Sequence, residues 1–241
     1  MITVRAVPIL SDNYAWLVHD APSGATAIVD PAEEAPILAA IEAAGGRLDL
    51  ILLTHHHADH IAAADAVRAR TGARMVGARA DAHRLPRLDA AVAEGDTVRL
   101  GGAAARVLDT PGHTVGHIAY VFDDPSVLLC GDTLFSLGCG RLLEGTAAQM
   151  FASLRKFAGL ADDTLVCCGH EYTESNARFA VHADPGNAAL AAYAAQVTAK
   201  RAAGQATVPS RLGEERACNP FLRAADVATL ADLRARKDNF R

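Results

Sequence analysis

The chain has 241 residues, 51% of them hydrophobic and 21% charged, which suffices for one large domain or a domain with a small appendage and excludes wholesale disorder. The formal net charge of −5 argues against nucleic acid or an anionic membrane as the main partner, although a local cluster of cations can still take a small anionic ligand. Met1-Ile2-Thr3-Val4-Arg5 lacks the charged region and apolar stretch of a signal peptide, and no apolar run approaches the ~18 residues of a membrane span. The five cysteines, Cys130, Cys139, Cys167, Cys168 and Cys218, are odd in number and contain no Cys-x-x-Cys. Buried, inert thiols in a reduced, cytoplasmic protein are therefore expected.

In chain order, strand-sized apolar runs bounded by Gly, Pro or Asp fall at 25–29, 50–53, 74–77, 98–100, 106–108, 118–122, 126–130 and 164–168. Helical patterns at 33–44, 61–71 and 146–158 interrupt them, with Thr146 as an N-cap and Gly45 and Gly159 as stops. Strands mixed with helices predict an α/β sandwich with its helices outside. Near Thr173 the texture changes. Residues 173–183, 187–203 and 225–237 read as helices, Pro185-Gly186 separates the first two, and no strong strand appears. The expected organisation is a catalytic domain over 1–172 and a small helical, substrate-binding domain over 173–241.

The chemistry concentrates where the run 50–53 enters Thr54-His55-His56-His57-Ala58-Asp59-His60. In extended chain, residues two apart point the same way. His55 and His57 thus face one point, while Asp59 and His60 can face a second where the chain turns into a helix. Imidazole and carboxylate suit zinc, iron or manganese. His113 in Asp109-Thr110-Pro111-Gly112-His113, Asp132 in Cys130-Gly131-Asp132 and His170 in Cys168-Gly169-His170 each follow a strand, beside a Gly that permits a sharp turn. Five histidines and two aspartates are enough for two metals sharing one carboxylate. Unpaired, so many buried polar groups would cost several kcal/mol. A purely structural zinc site would favour cysteine ligands. His56 and His117 read as supports of the ligands or as local hydrogen-bonding residues, and His19, His83 and His182 as surface or structural residues.

The His-x-His-x-Asp-His run with His113, Asp132 and His170 resembles the metallo-β-lactamase superfamily. That resemblance implies an αββα sandwich with a dinuclear site at one sheet edge. Further segments are similar to the glyoxalase II (hydroxyacylglutathione hydrolase) family: Gly131-Asp132-Thr133-Leu134-Phe135, Gly138-Cys139-Gly140-Arg141, Glu144-Gly145-Thr146, Gly169-His170-Glu171-Tyr172-Thr173, Thr207-Val208-Pro209-Ser210, Asn219-Pro220-Phe221 and Arg236-Lys237-Asp238-Asn239-Phe240. They span nearly the whole chain. The resemblance implies a cytoplasmic, monomeric thioesterase of methylglyoxal detoxification, converting S-D-lactoylglutathione and other 2-hydroxyacylglutathiones to D-lactate and glutathione.

It further implies two divalent ions, zinc first, with iron or manganese also suited. His55, His57 and His113 would hold the first; Asp59, His60 and His170 the second; Asp132 would bridge. Arg141, Tyr172, Arg234 and Lys237 would contact glutathione. Some members carry Tyr two residues after the position of Arg141, where this chain has Leu143 and loses a hydroxyl. Asp59 and Asp132 are the catalytic carboxylates of a mechanism in which a metal-bridging hydroxide attacks the thioester carbonyl. The leaving thiol, with a pKa of ~8.5, departs readily, and Cys139 is expected to pack rather than attack. Within the same fold a one-iron persulfide dioxygenase, a lactonase or a β-lactamase are alternatives, as is a non-catalytic metal-binding module; the helical tail favours the thioesterase.

Overall fold

The computed structural model describes residues 1–240; residue 241, the end of the expected helical domain, lies outside the described residues. The chain begins with two strands that the apolar-run reading does not find, β1 (Ile2–Ile9) and β2 (Asn13–Asp20), paired antiparallel from Ile2↔Asp20 to Ile9↔Asn13. β1 lacks a clean alternation of buried and exposed positions, and β2 buries both faces while carrying Asn13, His19 and Asp20. Neither matches a simple strand template.

β3 (Ala25–Val29) pairs antiparallel with β2, then α1 (Glu34–Ala43) crosses over to β4 (Leu50–Leu52). The short α2 (Ala58–Ile61) and then α3 (Ala64–Thr71) lead to β5 (Arg74–Ala78), and β6 (Ala90–Val92) closes the sheet. β3, β4, β5 and β6 are mutually parallel, which is why helices connect the first three. The helix expected over 61–71 is thus two helices, because the metal-type residues Asp59 and His60 occupy a separate turn first.

The second sheet comprises β7 (Thr97–Leu100), β8 (Ala103–Asp109), β9 (Ile118–Asp123) and β10 (Ser126–Gly131), a meander of antiparallel pairs. A small hairpin of β11 (Leu134–Phe135) and β12 (Gly138–Cys139) follows. Next come α4 (Ala147–Arg155), a tight 3-10 turn over Lys156–Gly159, and β13 (Leu165–Cys168), parallel to β10. Thr146 caps α4 as expected, in a reciprocal box with Gln149. The two six-stranded sheets face each other, and Tyr120 of β9 ties them by donating its buried hydroxyl to Leu53 O at 3.0 Å. With α1 and α3 against one sheet and α4 against the other, this is the expected αββα sandwich.

After β13 the chain forms α5 (Thr173–Ala183), α6 (Ala188–Ala202), α7 (Leu212–Cys218) and α8 (Val227–Asp238). Two features depart from the sequence reading. α7 is short and polar, with Glu214, Glu215 and Arg216, so periodicity does not reveal it. Just before it β14 (Ser210–Arg211) joins the edge of the second sheet against β13. The helical tail also shares the main core, through Phe179, Phe221, Leu230 and Leu233. No helix among the described residues is long and apolar enough to cross a membrane. All five cysteines are buried and unpaired.

The β11–β12 hairpin takes many of its polar contacts from the tail. Asn219 Nδ2 donates to Phe135 O (3.1 Å), Gly138 O (3.0 Å) and Glu215 Oε2 (3.0 Å), and its Oδ1 accepts from Phe221 N at 3.0 Å. Glu215 Oε2 also accepts from Leu137 N at 2.8 Å. Because Asn219 is fully buried, Asn219→Ala leaves several groups without partners. It is expected to destabilise the protein by about 2–4 kcal/mol, read as a lowered urea midpoint.

Candidate active site

Every candidate ligand lies just beyond the C-terminal end of a strand, in the following loop or, for Asp59 and His60, in the short α2. β4 delivers Thr54–His60, β8 leads to His113, β10 to Asp132 and β13 to His170. These ends meet at one edge of the sandwich. Gly131 has a left-handed φ of +46°, and a Cβ there would lie 2.4 Å from Thr54 Oγ1. Only glycine lets β10 pass this close to β4 before turning Asp132 inward.

His55, His57 and His113 form one group whose ligand atoms lie within 4.8 Å of one another. His57 Nδ1 is 3.0 Å from both His55 Nε2 and His113 Nε2. The opposite nitrogens are anchored. His55 Nδ1 donates to Thr54 Oγ1 (3.0 Å), which donates to Asp30 Oδ2 (2.6 Å). His113 Nδ1 donates to Arg141 O at 2.9 Å. These anchors set the tautomers so that both Nε2 lone pairs face inward. Burial, with His60 and His117 adding to it, holds the His55 imidazole well below the usual histidine range; a neutral ring is the form that ligates.

Asp59, His60 and His170 form the second group. His60 Nε2 and His170 Nε2 are 3.4 Å apart, with Asp59 Oδ2 3.8 Å from the first and 3.4 Å from the second. Their other nitrogens are anchored too, His60 Nδ1 on Asp30 Oδ2 and His170 Nδ1 on Asp12 Oδ1, both at 3.0 Å. Asp132 stands between the groups: Oδ1 is 3.4 Å from His60 Nε2, and Oδ2 is 3.4 Å from His113 Nε2 and 3.3 Å from His170 Nε2. Its Oδ1 is buried without a hydrogen-bond partner. Burial acts to raise the Asp132 carboxyl, but His60 and His170 outweigh it and hold it well below the usual carboxylate range. Imidazoles and a carboxylate oxygen without a hydrogen-bond partner thus converge on one small buried space, the donor types that divalent metals take. The donor set therefore fits divalent metal. His117 supports it as expected: its Nε2 accepts from Asp132 N at 3.1 Å, and its ring stacks on His55. His56 bonds Asp81 rather than the ligands.

A cavity of about 530 Å³ opens from this cluster and runs to α8, with Arg141, Tyr172, Arg234 and Lys237 all in its wall. Their states differ. Arg141 is exposed and free to swing, its Nε 3.8 Å from Asp238. Tyr172 stacks flat on His170, ring centroids 4.5 Å apart. Arg234 is buried and committed, donating to Cys139 O at 2.8 Å and pairing with Asp238 at 2.8 Å. Lys237 Nζ donates to Ser175 O and Oγ at 3.0 and 2.9 Å. Burial and the surrounding Arg234, Arg178 and Arg141 push its ammonium down to about 8. Leu143 presents an exposed apolar side chain at the same wall. Cys139 packs as expected, its buried thiol pushed up to about 11.

Residues 10–170 match the profile of the Metallo-beta-lactamase superfamily, and residues 171–240 that of the Hydroxyacylglutathione hydrolase C-terminus. The chain is 62% identical over 238 residues to the hydroxyacylglutathione hydrolase of Acidiphilium cryptum (strain JF-5), covering 99% of this chain and 97% of that one. It is 53% identical to the hydroxyacylglutathione hydrolase of Cereibacter sphaeroides (strain ATCC 17025 / ATH 2.4.3), covering 97% of each. The chain belongs to the hydroxyacylglutathione hydrolase family, within the metallo-beta-lactamase superfamily. Among solved structures, ETHE1 from Myxococcus xanthus superposes with a TM-score of 0.72 at 27% identity, over 97% of this chain and 90% of that one. TTHA1623, solved in a di-iron-bound form, superposes with a TM-score of 0.59 at 27% identity, over 70% and 91%.

Sequence reasoning did not find the anchors of this hydroxyacylglutathione hydrolase family site. Asp30 serves both groups, accepting from Thr54 N (2.8 Å), Thr54 Oγ1 and His60 Nδ1. Asn13 Nδ2 donates to Asp59 Oδ2 at 3.0 Å, beside Asp12 on His170. All three lie far from the ligands in sequence, in strand ends and turns with ordinary composition. The signal available was Asp30 closing an apolar strand, as the ligand-bearing loops do. Replacing Asp12 by Ala frees the His170 ring. It is expected to weaken metal binding 10–100-fold, measured by titration against a competing chelator, with far-UV circular dichroism unchanged.

Proposed function

We propose that the chain binds two divalent metals, zinc by preference, and hydrolyses S-D-lactoylglutathione and related 2-hydroxyacylglutathiones to the hydroxy acid and glutathione. His55, His57 and His113 are assigned to the first metal, Asp59, His60 and His170 to the second, and Asp132 to both. The observation that carries this reading is a single cavity with a metal-type cluster at one end and a cation-bearing helix at the other. A thioester of a peptide that carries two carboxylates needs both.

When bound, such metals supply an acidified water and Lewis-acid polarisation of the carbonyl. The residues of the chain do the rest. Asp59 Oδ2 faces the cavity, accepts one hydrogen bond from Asn13 and retains lone pairs that can orient an attacking water. Lys237 and Arg141 offer charge to the peptide carboxylates, and Tyr172 offers its phenol to a peptide group. Arg234 acts through Asp238 and the β12 carbonyl that it holds. Residues 1–172 in this reading furnish the ligands together with Arg141 and Tyr172, and 173–241 the helical wall of the cavity with Arg234 and Lys237. The buried unpaired thiols support a cytoplasmic, reduced setting, and a monomer completes its own site.

Release of thiol from S-D-lactoylglutathione by metal-replete protein, followed with a thiol reagent, tests the activity. Asp132→Ala is expected to reduce it to background and to lower bound metal below two per chain, whereas unchanged turnover would sink the assignment of Asp132.

Lys237 gives a pH prediction. With a pKa near 8, its charge is present below that pH and lost above it. KM for the thioester is expected to rise through pH 8–9 in the wild type. Arg stays charged, so Lys237→Arg flattens that rise, while Lys237→Ala raises KM about tenfold at pH 7, the equivalent of one charge-assisted hydrogen bond.

A further inference from the structure

Outside the cavity wall lies a second cluster of charged side chains. Arg84, in the turn after β5, does not line the cavity. Its Nη2 donates to Asp81 Oδ1 at 2.6 Å, and its Nη1 to Glu144 Oε1 at 2.5 Å and to His56 Nε2 at 3.2 Å. Since a guanidinium only donates, His56 Nε2 is the acceptor and its Nδ1–H faces Asp81 Oδ2 at 3.1 Å. Asp81 is almost wholly buried, at 1% exposure.

These contacts join three separate chain segments, and both arms of the first ligand group hang on them. One arm is His56, flanked by His55 and His57. The other is the His113 loop, which Glu144 grips on both sides: Glu144 N donates to His113 O at 3.3 Å, and Glu144 Oε2 accepts from Val115 N at 3.0 Å. The segment that carries Glu144 also supplies Arg141 O, the anchor of His113 Nδ1. The loop rests directly on Asp81, for a Cβ at Gly116 would lie 2.1 Å from Asp81 Cγ. Arg84 is the one residue that bonds Asp81, Glu144 and His56 together.

We propose that Arg84, with Asp81 and Glu144, is a positioning device for the first metal site, setting the separation between His57 and His113. Asp81 is buried, but Arg84 and His56 are half-buried and Glu144 is exposed; ion pairs open to solvent contribute little net stability, so the worth of the cluster lies in geometry. The guanidinium fork fixes two carboxylates at a defined spacing, which a lysine ammonium cannot reproduce. The second group is anchored by Asp12 and Asn13 and by Asp30, which it shares with His55 through Thr54, and none of these contacts the Arg84 cluster. The proposal rests on the ligand assignment given above.

The test uses metal titration of the full chain against a competing chelator. In Arg84→Ala, the affinity of one metal is expected to fall 10–100-fold while the other stays as in wild type, with kcat reduced and KM for the thioester within about threefold. The site affected is identified in a His170→Ala background, which retains only the first metal: adding Arg84→Ala weakens that metal. In a His57→Ala background, adding it leaves the remaining metal untouched. Arg84→Lys is expected to recover part of the loss. Arg106→Ala, which breaks the exposed pair with Asp123, is expected to behave as wild type. Wild-type affinity for both metals in Arg84→Ala, whatever its melting temperature, overturns the proposal alone, as does equal weakening in both backgrounds. A wild-type chain that binds fewer than two metals overturns the ligand assignment and this proposal with it.

Discussion

Asp132 places a buried carboxylate, one oxygen of it unpartnered, among three imidazole nitrogens 3.3–3.4 Å from its two oxygens, and the surrounding structure is arranged so that these groups cannot move apart. Four of the rings are pinned through their opposite nitrogens by Thr54, Asp30, Arg141 O and Asp12. The backbone N–H of Asp132 is held by His117. Such a concentration of buried polar groups is costly in a dry interior. It persists because four strand ends from both sheets fix it, and the same donor atoms are the ones that divalent cations take.

The sandwich explains how the site can be both rigid and open. Strands buried on both faces end together at one edge, where loops take over and side chains can face a cavity. The tail closes the other side of that cavity. It does so as part of the main core, with β14 in the second sheet and Asn219 and Glu215 holding the β11–β12 hairpin. Metal end and peptide end are thereby held in register, which is what a thioester spanning both requires. Arg234 illustrates the difference between lining a cavity and being free to bind in it: its guanidinium is used by Cys139 O and Asp238.

The legible part of this protein was its local pattern. Short apolar runs gave most strands of the sandwich, Thr146 announced its helix, and the density of histidine between residues 55 and 60 was too costly for any ordinary packing role. Ligand-type residues that each follow a strand and a glycine needed only that rule to be found. β1, β2, α7 and β14 were not legible, because their residues become strand or helix through partners distant in sequence rather than through their own periodicity.

What the sequence alone determined, then, was the set of ligand-type residues that the fold gathers at one edge, the class of fold and, through resemblance, the family. What only the tertiary structure decided was which groups hold those ligands and which cations remain free. Asp30, Asp12, Asn13 and the Arg84 cluster approach the site from other strands and turns, across 24 residues for Asp30 to Thr54 and 158 for Asp12 to His170. Hydrogen bonds of that kind depend on angles and distances that exist only after the sheets have packed. A side chain that will anchor a ligand is, before folding, one more polar residue in a turn.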